Sequence, residues 1–497
     1  MKIVLKDAIK TYSKGQDKLI PPSKTIQNAL LAMSKIQSLA SVKLEQVDHL
    51  DRIGIPVFRS HVLGLHGKKE RRSYGKGVDS ESAKASALME LVERFSAGKF
   101  EEDRNNFKTQ SYSAIRDNKI ALENLLFCYE DCKEECNYLD GLKEVPLEWT
   151  DSFSLTQNKI VRLPLKWFWW VNGSNGMAAG NSIEEAILQA LCEVVERHVQ
   201  SIIIRKGLRA PMINVNSINN ALAKDMILKF NKAGIKLFIK DFSLGIGIPS
   251  VGVLAYDSKT PFKFMKIIYK VGTSLNRDTA LIRALIETAQ ARSACLYQNK
   301  IKSIDYLVDQ EYRKLSEAKP FTDNTQIINF SELPTYSDKN FKKEIEVAVR
   351  KLADNGFEVI VTNVSHGIIK IPVVIVTIPG NCFNIDRFDP FLFIAQSYVN
   401  AQDYRKCIDI LERNFKLYPE AERNIEKLFL YGSSYQKIKK FTEAIKIFNH
   451  AVSFCEGKDI EMLKRIFKAL ASCYLNLSKP DEALRIYKEM RRLQEQG

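Results

Sequence analysis

The sequence predicts a mixed α/β (α+β) body with pseudo-symmetric, duplicated halves, followed by an all-α region of helical repeats. Three observations predict it. Helical and strand-like segments alternate through the first 388 residues, and strand signals then stop. An acidic helical stretch occurs twice, as ALMELVERFS from Ala87 and as ALCEVVERHV from Ala190. Three aromatic-centred helical patterns recur near the C-terminus. The change divides the chain into residues 1–388 and 389–497.

The bulk numbers bound this reading. A chain of 497 residues exceeds one ordinary core and implies two or three units. Hydrophobic residues at 45% and charged residues at 27% fit a soluble globular protein. No run of about 18 apolar residues occurs, which excludes a membrane span. The N-terminal MKIVLKDAIKTYSKGQDK is interrupted by charge too early for a signal peptide, so a cytoplasmic protein is expected. Lys+Arg 74 against Asp+Glu 59 gives a net charge of +15, which favours polyanionic partners such as nucleotides. Nucleic acid is disfavoured, because no basic run is interleaved with stacking aromatics. The nine cysteines form no C-x-x-C pair. Cys128, Cys132 and Cys136 would share one helix face, yet the spacing is not that of a zinc site and no histidine is near. The six histidines show no ligand spacing either.

The elements follow in order. PPSKTIQNALLAMSKIQSLA, from Pro21, reads as a helix begun by Pro and Ser. IGIPVFRSHVLGL is strand-like. A Gly-rich turn then leads into the first acidic helix, which Asp79 or Ser80 can cap and Gly98 can end. The middle section mixes helices with short strands, RLPLKWFWWVNGS among them. A second loop, NGSNGMAAGNS, leads into the second acidic helix. INNALAKDMILKFNKAG reads as helix, IKLFIKDF and IPSVGVLAYD as strands, and TALIRALIETAQARSACLYQN as helix. VAVRKLADNGFEVIVTNVS and IPVVIVTIPG close this part. Beyond it, Tyr398, Tyr435 and Tyr474 recur at intervals of 37 and 39 residues. Each is followed after six residues by Tyr404, Phe441 or Pro480, and after three more by Cys407, Ala444 or Ala483. The period is close to the tetratricopeptide repeat of about 34 residues. Small residues let paired helices approach, and such pairs form grooves for partner peptides.

The acidic helices carry the chemistry. Ala83–Ala97 aligns with Ala186–Gln200 at a constant shift of 103 residues, which indicates an internal duplication. Ser86, Glu90 and Glu93 fall on one helical stripe, as do Gln189, Glu193 and Glu196. The competing reading of one such stripe is a solvated ion-pair face; two matched copies, each after a Gly-rich loop, favour a site. Four converging carboxylates repel by several kcal/mol, and a divalent cation neutralises them. The ligands are all oxygen, which indicates Mg²⁺ rather than zinc. SYGKGVDSES is not a P-loop, since no glycine stands at the required distance before Lys76 and no Ser or Thr follows it directly. Asn181 lies at the second helix start, where free N–H groups could meet a phosphate, although a structural turn reads equally well. Arg283, Glu287 and Gln290 form a stripe on a third helix, with Glu287 a candidate fifth metal carboxylate.

These stretches together resemble the YcaO superfamily over roughly residues 15 to 388. They are YGKGVDSESAKASALMELVERF, SNGMAAGNSIEEAILQALCEVVERH and TALIRALIETAQAR. The resemblance implies ATP and Mg²⁺ held between the duplicated halves, and activation of a peptide backbone amide oxygen. It implies metal ligation by Glu90, Glu93, Glu193, Glu196 and Glu287. It implies ATP binding by Lys18, Thr25, Ser86, Asn181, Arg197 and Arg283, with Glu193, Arg197 and Arg283 carrying catalysis. The Lys18–Thr25 pair rests on its seven-residue spacing. One departure stands out: azoline-forming members often end in a Pro-rich tail that reaches the site, whereas helical repeats follow here. That arrangement resembles the methanogen branch that installs thioglycine in methyl-coenzyme M reductase. Its implied partners are a peptide or protein substrate, a TfuA-type protein and an external sulfide source, with a homodimer left open. The alternatives are an azoline-forming cyclodehydratase, an accessory factor of ribosomal-protein methylthiolation, and a catalytically idle ATP-binding scaffold.

Overall fold

The computed structural model describes residues 2–62, 71–126, 142–300, 312–323, 326–381, 389–455 and 460–495; Cys128, Cys132 and Cys136 lie outside them. Three sheets form among the described residues. The first is antiparallel, in the order β1 (Val42–Gln46), β2 (Val57–Val62), β3 (Arg71–Lys76). The six-stranded sheet contains β4 (Lys108–Gln110), β5 (Leu147–Ser154), β6 (Lys159–Leu163), β7 (Met177–Ala179), β13 (Ile360–Asn363) and β14 (Val373–Thr377). It runs β4-β5-β13-β14-β7, with β6 paired to β5. The five-stranded sheet contains β8 (Met212–Asn214), β9 (Lys236–Asp241), β10 (Ser250–Tyr256), β11 (Ile267–Thr273) and β12 (Ile327–Asn329), in the order β11-β10-β9-β8-β12. β10 lies between two neighbours and is buried along six of its seven residues, which is why SVGVLAY reads as an almost unbroken apolar run.

Each sheet ends in an edge strand that feeds a long helix. β3 leads to α2 (Ser80–Glu102), β7 to α5 (Ile183–Arg205) and β11 to α7 (Arg277–Lys300), once α1 (Pro22–Met33), α3 (Leu122–Leu126), α4 (Leu165–Asn172) and α6 (Ala221–Lys232) are counted. Strand and helix pack backbone to backbone at glycines. A Cβ on Gly75 would lie 2.1 Å from Ala87 N, and one on Gly272 would lie 2.3 Å from both Ala280 O and Ala284 N. Asp79 caps α2 by accepting from Ser82 N, as expected. Gly98 does not end the helix, which runs on to Glu102. A mid-helix glycine costs only about 1 kcal/mol, and buried Phe95 and Ala97 hold the last turns in place. RLPLKWFWWVNGS divides at Pro164: β6 stops at Leu163 and α4 begins, because proline cannot donate to a ladder but suits a helix start.

α8 (Lys319–Thr322) and α9 (Phe341–Asp354) complete the α/β body, and helices alone follow. They are α10 (Pro390–Asn400), α11 (Tyr404–Leu417), α12 (Ile425–Lys437), α13 (Phe441–Phe454), α14 (Ile460–Asn476) and α15 (Pro480–Glu495). The repeat is visible in its turns. Gln402, Lys439 and Ser478 each adopt positive φ, four residues after Tyr398, Tyr435 and Tyr474. The next residue's N–H then bonds back to each tyrosine carbonyl at 2.9 Å. Cys407, Ala444 and Ala483 are buried where the helices of a pair touch. These helices share one hydrophobic core with α2 and the six-stranded sheet, and Phe393 packs edge-on against Trp167 at 5.2 Å.

Candidate active site

α2, α5 and α7 point their polar stripes into one cavity of about 340 Å³. Every sequence-predicted site residue lines it: Lys18, Thr25, Ser86, Glu90, Glu93, Asn181, Glu193, Glu196, Arg197, Arg283 and Glu287. The N-terminal segment reaches the cavity through buried Glu185, whose oxygens accept from Leu19 N at 2.9 Å and from Asn181 Nδ2 at 3.1 and 3.2 Å. Lys18 donates to Gln189 at 3.1 Å, and Thr25 donates to Asn181 Oδ1 at 3.1 Å. Lys18 and Thr25 thus stand together at the start of the second acidic helix.

The carboxylates are held in sequence-specific ways. Arg94 donates to Glu90 from the next helical turn at 2.9 Å. Glu193 accepts from Gly176 N, and Glu196 accepts from Thr273 N at 3.1 Å. Arg197 lies 3.3 Å from Glu196 and 3.9 Å from Glu193. Lys76 pairs with Glu287. Sequence reasoning took a divalent cation to be what neutralises the acids. In the structure six cations of the chain itself, Lys18, Lys76, Arg94, Arg197, Lys270 and Arg283, also line the cavity beside six glutamates. Lys76, Lys270 and Arg94 were missed as site residues; Lys76 and Lys270 are single cations on strands, with no periodic signature, whereas Arg94 lies in α2 at the position that matches Arg197.

Burial governs the acid–base state. It pushes Glu193 up to about 7 against the opposing pull of Arg197, and it raises Glu93 well above the usual carboxylate range, aided by Glu90 and Glu193. Glu90 and Glu196 are raised for the same reason. Burial acts on Glu287 too, but Lys76 and Arg197 together outweigh it and hold that acid ionised. Burial also lowers Lys270, reinforced by Arg197. Burial disfavours the thiolate of the nearby cysteines, pushing Cys192 up to about 12 and Cys295 up to about 11.

Among the described residues no three His, Cys, Asp or Glu side chains are already gathered to metal-ligating distance. The carboxylates are instead turned to cations and backbone N–H groups. The donor set nevertheless fits a magnesium nucleotide. The ligands are oxygen only, and two buried polar atoms of cavity-lining residues, Arg197 Nε and Gln290 Oε1, have no partner among the described residues. An unpaired buried donor and an unpaired buried acceptor in one cavity suit a ligand bearing both phosphate oxygens and a hydrated cation.

Residues 74–382 match the family described as YcaO cyclodehydratase, ATP- and Mg²⁺-binding, and residues 428–457 match a tetratricopeptide repeat. A protein of Methanothermobacter thermautotrophicus is 27% identical over 71% of this chain and 92% of its own length. A protein of Rhizobium leguminosarum bv. trifolii, described as lying in the tfuA 3′ region, is 24% identical over 80% of this chain and 96% of its own. The solved structure of YcaO from Methanopyrus kandleri bound with AMPPCP and Mg²⁺ is similar in fold. Its TM-score is 0.57 and its identity 21%, over 75% of this chain and 94% of that one. No described helix is long and apolar enough to cross a membrane.

Proposed function

The chain belongs to the YcaO family, whose members bind ATP and Mg²⁺, and from that premise we propose that it replaces a backbone amide oxygen of a peptide with sulfur. The observation that carries this reading is the meeting of three acid-bearing helices in one charge-balanced cavity. Residues 1–388 do the chemistry, and residues 389–497 hold the client. Glu90, Glu93, Glu193, Glu196 and Glu287 would hold the metal. Lys18, Thr25, Ser86 and Asn181 would hold the nucleotide. Bound Mg²⁺ would spread the charge of the transferring phosphoryl group.

Arg197 and Arg283 stabilise charge on that group. The amide oxygen attacks the γ-phosphorus, and ADP leaves. The carbon becomes electrophilic, since a phosphorylated oxygen is a far better leaving group. Hydrosulfide adds there, and phosphate departs with the former amide oxygen. The net change is amide, ATP and H₂S to thioamide, ADP and phosphate. Burial of Cys192 and Cys295 as thiols supports an external sulfide source. We take thioglycine of methyl-coenzyme M reductase as the product; a TfuA-type partner is supported by the relative in the tfuA 3′ region.

The family description favours one second reading, azoline formation by cyclodehydration. Comparing intact masses of abundant cellular proteins with and without the gene separates the two. A gain of roughly 16 Da marks O-to-S replacement and a loss of roughly 18 Da marks dehydration; no difference in any protein contradicts both. In parallel, Glu90→Gln and Glu193→Gln should abolish Mg²⁺-dependent phosphate release. Turnover at the wild-type rate would contradict a metal-holding role for these two glutamates.

A further inference from the structure

The two acidic helices are in fact three. α2, α5 and α7 are capped in the same register: Asp79, Ser182 and Asn276 accept from Ser82 N, Glu185 N and Thr279 N, each three residues on. Each helix follows the edge strand of a different sheet. In this register Glu90, Glu193 and Glu287 are equivalent, and Glu93 and Glu196 correspond to Gln290. The equivalence extends to what these residues hold. Glu93 takes the N–H of Ala179, at the end of the strand feeding the second helix. Glu196 takes the N–H of Thr273, at the end of the strand feeding the third. The cycle would close with Gln290 on Lys76 N, but Gln290 Oε1 is buried and without a partner among the described residues. An acceptor oxygen in the third copy has thus lost both its charge and its backbone donor while keeping its place in the cavity.

Resting on the magnesium–nucleotide reading above, we propose that Gln290 supplies a neutral oxygen to the hydrated Mg²⁺ held in this cavity. Six glutamates already line the cavity, so a seventh carboxylate there would add to their mutual repulsion. A carboxamide contributes an oxygen ligand, directly or through a metal-bound water, without that charge. The oxygen itself is fully buried, but the side chain as a whole is only partly buried and lines the cavity, so turning its carboxamide about the last torsion brings an oxygen to a cation there.

The test is calorimetric titration of Mg²⁺ into the full chain saturated with AMPPCP. Gln290→Met keeps the volume and removes the oxygen; it should weaken Mg²⁺ about tenfold with thermal stability maintained. Gln290→Glu restores an oxygen and should bind Mg²⁺ more tightly than Gln290→Met. Unchanged Mg²⁺ affinity in Gln290→Met overturns the inference, and so does equal loss in both variants. If Gln290→Met alters only the affinity for a client peptide, the oxygen serves the peptide and the inference fails. A wild-type chain that takes up no Mg²⁺ with AMPPCP would defeat the site reading itself, a result distinct from all of these.

Discussion

Lys76 holds Glu287 ionised at the centre of the cavity, and removing that cation should be felt there first. Contacts to a charged group contribute about 1.5–3 kcal/mol. Lys76→Met should therefore lower Mg²⁺-dependent phosphate release at least about tenfold, together with a loss of stability from the Glu287 carboxylate left without its partner. An unchanged rate would remove Lys76 from the site. His198 gives a second residue-scale prediction. Burial lowers its pKa to about 4. The folded chain thus keeps His198 neutral while the unfolded chain gains a proton below about 6.5. The unfolded state then binds more protons, so stability falls as pH drops from about 6.5 toward 4, by up to about 3 kcal/mol. Urea titrations at pH 7 and 4.5 should show a smaller drop for His198→Phe than for wild type. At this scale the sequence was most readable where spacing repeats: Glu90 with Glu93, and Glu193 with Glu196, announce a stripe because side chains three apart share a helix face. Lys76 announced nothing except a failed P-loop. Lys270 reaches the cavity from the middle of an edge strand, a placement set by tertiary packing alone.

Among elements, the strand-to-helix crossings decide how the acids meet. A methyl group at Gly75 or Gly272 would strike backbone atoms of α2 or α7, which cannot move aside as a side chain tip can. Gly75→Ala and Gly272→Ala should each cost at least about 1–3 kcal/mol in urea unfolding. Gly98→Ala is the internal control. Its Cβ meets nothing within 4 Å, so the change should stabilise α2 by about 0.5–1 kcal/mol. Helices, caps and the repeat period were legible because each is written in neighbouring residues. Asp79 and the tyrosines at 398, 435 and 474 illustrate this. The three-sheet arrangement was not legible. Nothing local in MAA or IIYKVGT tells that Met177–Ala179 and Ile267–Thr273 are edges of different sheets facing one cavity. The kinship of α7 with the other two helices also escaped, because Gln290 breaks the acidic pattern that made the first pair visible.

At the scale of the whole molecule, the helical repeats are welded to the body rather than tethered to it. Phe393 packs between Trp167 and Trp170 at 5.2 and 5.3 Å. Trp167→Ala should cost about 3–5 kcal/mol and loosen α10 before the sheets unfold, which hydrogen exchange can localise. A second tie joins the segment before β2 to α7 and the loop after β10: buried Arg292 bonds Asp51 at 2.8 Å and Asp257 at 2.9 Å. Asp257→Ala would take one of two carboxylate partners from that cation and should cost about 1.5–3 kcal/mol. If the repeats hold a client, as proposed, these ties would keep it in a fixed position relative to the body. The central claim is that the acids of α2, α5 and α7 close on a magnesium nucleotide, and a crystal grown with AMPPCP and Mg²⁺ tests it most directly. The account predicts Mg²⁺ within about 2.1 Å of oxygens from Glu90, Glu93, Glu193, Glu196 and Glu287, with phosphates against Arg197 and Arg283. Nucleotide bound elsewhere, with these glutamates still paired to Arg94, Arg197 and Lys76, would contradict it.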